Sequence, residues 1–175
     1  MILMIAGTIL FFGIHALPFH TGWRNTLINK TGEKPYKGIF SLVALTGLLL
    51  IGLGYSTANY HEIWPPVEHA RSIALIIMPL TFILLASANM KSHIRRLLKH
   101  PMSIGIMLWS GAHLLANGDQ ASILLFGSFF IYALISMISA EMRLKYLGDG
   151  SASLKFDAIA VISGILLYAL VLSAH

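Results

Sequence analysis

The stretch WSGAHLLANGD, residues 109–119, ends on Asn117, Gly118 and Asp119, and the sequence on either side is almost purely apolar. Asn-Gly-Asp is turn chemistry. It divides the surrounding apolar sequence into two helices, 101–117 and 120–140, joined by a tight antiparallel hairpin. The same stretch raises a second question, because it places a titratable group, His113, near the end of a helix suited to a membrane.

Working outward from the hairpin, apolar runs of about 17–25 residues span a bilayer as helices. Six are present: 1–19, 37–58, 70–89, 101–117, 120–140 and 154–174, the fourth being short. The composition agrees. Of 175 residues, 57% are hydrophobic and 11% charged, against about 25% charged in a soluble domain. Such a chain cannot cover a water-facing surface. The expectation is an all-α, polytopic helix bundle in a lipid bilayer, one transmembrane domain over residues 1–175. The first apolar run lacks a basic n-region and an A-x-A cleavage site, so it reads as a retained helix rather than a signal peptide.

The basic residues test the span count independently. Arg24, Lys30, Lys34 and Lys37 lie in or beside the first loop. Lys91, Arg95, Arg96 and Lys99 lie in the third, and Arg143, Lys145 and Lys155 in the fifth. Of the twelve Lys and Arg residues only Arg71 falls elsewhere. The positive-inside rule then puts the three basic loops in the cytoplasm and both termini in the periplasm of a bacterial inner membrane.

Two of those loops read as surface helices. In MKSHIRRLLKHP, Met90, Ile94, Leu97 and Leu98 share one face, and Lys91, Arg95 and Lys99 repeat every four residues. In PFHTGWRNTLINK, Trp23 and Leu27 are one turn apart. The net charge of +5 reports these loops rather than nucleic-acid binding. TGEKPYK, residues 31–37, has the form of a linker between zinc fingers, but the chain has no cysteine to build them. The lack of cysteine also removes disulfides and thiolate chemistry.

Of the eight histidines, His20, His61, His69, His93 and His175 fall in loops or at an end. His100 precedes Pro101, the natural first residue of the fourth helix, and reads as a structural cap. His15 and His113 remain at depth, where titratable groups are costly and mark function. Phe11 and Phe19 lie one turn either side of His15. Trp109 and Ser110 precede His113 by a turn. Imidazole, flat aromatic surface and small residues together suit a planar apolar cofactor such as haem. Taken singly, a membrane histidine is more often a hydrogen-bonded helix contact. Two histidines without a carboxylate pair are a poor zinc site. Glu141 and Asp157, at helix ends beside basic loops, read as paired or solvated.

Several short motifs stand along the chain: FFGIH (11–15), GWR (22–24), GEK with YKGIFSLV (32–43), KHPM (99–102), W-x-x-AHLLANGD (109–119) and LLFGSF (124–129). In these the chain resembles the NnrU family, bacterial membrane proteins associated with nitrite and nitric oxide reductase systems. That family is similar in turn to the 15-cis-zeta-carotene isomerases, membrane enzymes that use haem b. Their pattern is a histidine in the first shared helix, then His-Pro, then W-C-x-A-H. His15, His100 with Pro101, and His113 match it in order.

The resemblance implies haem b with His15 and His113 as axial ligands and Phe11, Trp109 and Ser110 beside them. It also implies work in nitric oxide or nitrite metabolism, as a redox enzyme or isomerase acting on a small apolar substrate or a gaseous ligand. Ser110 stands where the isomerases carry cysteine, so a thiolate cannot replace His113. His113 lies about 20 Å along its helix from His100, and its depth differs from that of His15 by about 10 Å on the same rise. A tilt would absorb this; otherwise His100 or His69 is the partner ligand. A cofactor-free transporter or an assembly factor for the reductases is the alternative. Pro79, the one break inside an apolar run, argues against a transporter, which needs interrupted helices.

Overall fold

The computed structural model describes residues 1–142 and 151–173. Arg143 and Lys145 of the fifth loop, and His175, lie outside the described residues. The elements are all helical: α1 (Ile2–Ala16), extended by a 3-10 turn (Leu17–Phe19), α2 (Thr21–Thr31), α3 (Glu33–Ser56), α4 (Ala70–Ser87), α5 (His93–Leu98), α6 (Pro101–Ala116), α7 (Gln120–Met142) and α8 (Leu154–Ser173). Among the described residues five helices are long and apolar enough to cross a bilayer: α1 with its 3-10 turn, α3, α4, α7 and α8. Helix α6 is apolar but has 16 residues, about 24 Å at 1.5 Å per residue, against a hydrocarbon core of about 30 Å. The protein is a multi-pass helical membrane protein.

Its surface has the polarity such a protein requires. Ile2 and Ile9 on α1, Leu42 and Leu49 on α3 and Leu166 and Leu170 on α8 are exposed. The buried positions are mostly small: Ala112, Ala133, Ala160, Ser87, Ser110 and Ser122. In lipid there is little hydrophobic drive between helices, so close packing of small residues and internal hydrogen bonds take over.

The chain divides into two compact units. The first holds residues 1–62 and 119–128, the second 63–118 and 129–175. In the first unit α1 packs along α3. A Cβ on Gly47 would lie 2.8 Å from the backbone nitrogen of Phe11, and one on Gly7 would lie 2.7 Å from Ile51 N. Only glycine lets the two backbones touch. Met4 faces Gly54 and is fully buried. These contacts run antiparallel, so the C-terminal end of α1 meets the N-terminal half of α3.

In the second unit α4 packs against both α6 and α8. Gly164 of α8 makes the corresponding close approach, since a Cβ there would lie 2.6 Å from Ile83 Cα. Pro79 sits inside α4, which continues through it to Ser87. The segment before α4 folds onto the end of α6. Ile63 N and Trp64 N donate to Gly118 O, and Val67 N donates to Leu115 O. Trp64 lies so near Gly118 that a Cβ there would run into its carbonyl, which explains the glycine of Asn-Gly-Asp. Asn117 closes α6, with its backbone and side-chain N–H groups both donating to His113 O. Asp119 opens α7 by accepting from Ser122 N.

Both basic loops expected to be helical are so. Helix α2 follows the expectation in extent; α5 is confined to six residues. Ser92 caps α5 by accepting from Arg95 N. Lys99, with φ +59°, then turns the chain towards Pro101.

Candidate functional site

His15 and His113 occupy matching local settings, one in each unit. His15 lies in the last turn of α1, where its Nδ1–H donates to the Phe11 carbonyl at 2.7 Å. His113 lies in the last turn of α6, where its Nδ1–H donates to the Trp109 carbonyl at 2.8 Å. A carbonyl only accepts, so the proton is on Nδ1 in both rings. In the neutral ring this tautomer leaves the lone pair on Nε2. This is the arrangement seen in metal-ligating histidines, in which a hydrogen bond from one nitrogen fixes the tautomer and the ring orientation for the other.

Aromatic rings flank each imidazole. Phe11 stacks on His15 with centroids 4.2 Å apart, and Phe40 of α3 meets it edge-on at 5.1 Å. Trp109 lies 5.3 Å from His113 and makes an edge contact with Phe129 at 5.4 Å. The i, i−4 aromatic was legible in the sequence on both helices. Phe40 and Phe129 were not, because each comes from another helix; the only local sign was their place in apolar helical runs.

Ser110 is fully buried, and its hydroxyl donates to Ile106 O at 2.7 Å. It serves close packing of α6, as does Ala112. Gly111 faces Phe130.

The other candidate ligands sit elsewhere. His100 precedes α6 but makes no side-chain cap. Its Nε2–H donates to Glu141 Oε1 at 3.1 Å, and Lys99 Nζ is 3.8 Å from the same oxygen. The capping role expected of it is thus replaced by a tie between α6 and α7. His69 begins α4 with φ +63°, is exposed, and lies 3.5 Å from Glu68. His93 donates to Asp157, whose other oxygen accepts from Ile94 N. Glu141 and Asp157, expected to be paired or solvated, are both paired with histidines.

At the head of α7, burial opposes ionisation of Asp119, but its hydrogen bonds with Ser122 outweigh that and hold its carboxyl below the usual aspartate value. At Tyr60, partial desolvation and the neighbouring Glu62 carboxylate push the phenol up.

The family described as NnrU protein matches residues 3–175. The chain belongs to the NnrU family. In this NnrU protein the match covers every helix and both histidine settings. No curated protein matches the chain, and no solved structure matches it.

Proposed function

We propose that this NnrU-family protein binds haem b in the bacterial inner membrane, that His15 and His113 are the residues that would hold its iron, and that it works beside nitric oxide or nitrite reduction. The observation that carries this reading is the paired hydrogen bond from Nδ1 to the carbonyl one turn back. Two histidines on different helices each donate from Nδ1 to a backbone carbonyl, the tautomer that in the neutral ring puts the lone pair on Nε2. Phe11 and Phe40 give His15 flat apolar surface, and Trp109, braced by Phe129, does the same for His113. Bound haem b supplies redox-active iron for electron transfer or isomerisation on a small apolar substrate or a gaseous ligand. The chain's own part is to orient both imidazoles and to set aromatic surface beside each.

The test is the visible spectrum of the purified protein. A Soret band with the bands of a low-spin six-coordinate haem is the expected result. A protein that stays colourless when expressed with excess haem overturns the reading in favour of a cofactor-free transporter or assembly factor. The orientation follows from the basic loops. A reporter fused at residue 150 should report cytoplasm, and one at the C-terminus should report periplasm.

A further inference from the structure

Most hydroxyls on these helices donate to a carbonyl about one turn back, as Thr8, Thr46 and Ser163 do. Tyr36 does not. Its Oη is buried and makes no hydrogen bond. A buried hydroxyl left without a partner is costly, so such a group points to something that accepts from it. Thr81 Oγ1 is the other such oxygen among the described residues. At Tyr36 the structure adds a cation: the Arg24 guanidinium lies over its ring, 5.9 Å from the centroid.

The position of this pair narrows its ligand. Tyr36 and Phe40 are one turn apart on α3, about 6 Å along the axis, with ring centroids 6.3 Å apart. Phe40 in turn meets His15. A wall of rings therefore runs from His15 through Phe40 to Tyr36 and ends on an O–H donor and a guanidinium. All of these residues belong to the first unit. Such a wall suits a flat apolar ring that carries an anionic carboxylate at one edge. Haem b has two propionates on one edge.

We propose that Tyr36 Oη and the Arg24 guanidinium together hold a propionate carboxylate of the haem ligated by His15, a proposal that rests on the haem reading above. Tyr36 donates its hydroxyl proton to one carboxylate oxygen, and Arg24 contributes charge-assisted donors. A lipid phosphate would present similar chemistry to the same pair, so the test must separate the two.

The wild type, Tyr36→Phe and Arg24→Gln are purified in detergent after growth without added haem. Each is reconstituted with haem b or with its dimethyl ester, which keeps the ring and lacks the carboxylates. Release to an excess of a haem-scavenging apoprotein is followed at the Soret band. Both variants should release haem b about tenfold faster than the wild type, the loss of one charge-assisted hydrogen bond, and release the ester at the wild-type rate. Arg24→Lys should recover part of the difference. Unchanged helicity and thermal melting of the unloaded variants will show that the fold is kept. If Tyr36→Phe stays low-spin and releases haem b at the wild-type rate, this proposal is overturned while the haem reading stands. A wild type that takes up no haem overturns both. Equal acceleration for haem b and its ester, reversed by added phosphatidylglycerol, would assign the pair to a lipid phosphate and overturn the proposal.

Discussion

Histidines at two kinds of place in this chain have different partners. At the ends of α1 and α6, His15 and His113 donate to backbone carbonyls of their own helices. Around α5, His93 and His100 donate to carboxylates on other helices, Asp157 and Glu141. A carbonyl bond orients the ring and is satisfied within one turn, so it adds no tie between helices. A carboxylate bond joins two helices and commits the side chain to that tie. The same residue type thus acts as an oriented donor in one region and as a tether in the other. The rings beside it make the same division: aromatic neighbours flank His15 and His113, and basic loop residues accompany His93 and His100.

The comparison breaks most sharply on the spectrum. His15→Ala and His113→Ala should each abolish the low-spin six-coordinate haem spectrum, leaving high-spin or haem-free protein that is still helical. His93→Ala and His100→Ala should leave the spectrum unchanged. If His113→Ala keeps the low-spin spectrum, His113 is not a ligand, and His100 and His69 become the candidates to test.

A smaller effect should come from the packing that brings Phe40 to His15. Gly47→Leu forces a side chain into the Phe11 backbone. Overpacking of this kind costs about 1–3 kcal/mol, readable as a lower melting midpoint in detergent. It should also weaken haem retention, because α3 and its Phe40 must move away from α1. A haem spectrum and retention unaltered in Gly47→Leu would show that the ring pair on α3 plays no part at His15.

On the tether side, Asp157→Ala removes the acceptor for both His93 and Ile94 N. The expected result is a small fall in melting midpoint, from the loss of an acceptor at the start of α5. Its signature is faster proteolysis within residues 91–99, with an unchanged haem spectrum. Protection equal to the wild type would mean that the backbone bond from Ser153 N to Lys91 O holds α5 unaided.

The smallest effect is a pH dependence. The folded carboxyl of Asp119 lies below its unfolded value. Its contribution is therefore present above the unfolded aspartate value and is lost as pH falls through the folded one. The wild-type melting midpoint should drop on acidification through that window more steeply than that of Asp119→Asn. Parallel curves would show that Ser122 does not hold the carboxylate at the head of α7.

What the sequence determined by itself is what repeats within a turn or along a run. Apolar length marked the spans and left 101–117 as the short one. Asn117 and Asp119 marked the end of α6 and the start of α7. The i, i−4 pairs Phe11–His15 and Trp109–His113 were readable because helical spacing alone brings them together. The clustering of Lys and Arg marked the loops. Tertiary structure alone decided which helices meet and in what register. Small residues set that register by admitting a neighbouring backbone at Gly47 and Gly164, and the fit depends on both surfaces at once. For the same reason Phe40 could be assigned to His15, Phe129 to Trp109, Glu141 to His100 and Asp157 to His93 only in the folded protein. The two members of each pair lie many helical turns apart in the chain, and no local periodicity encodes such a distance.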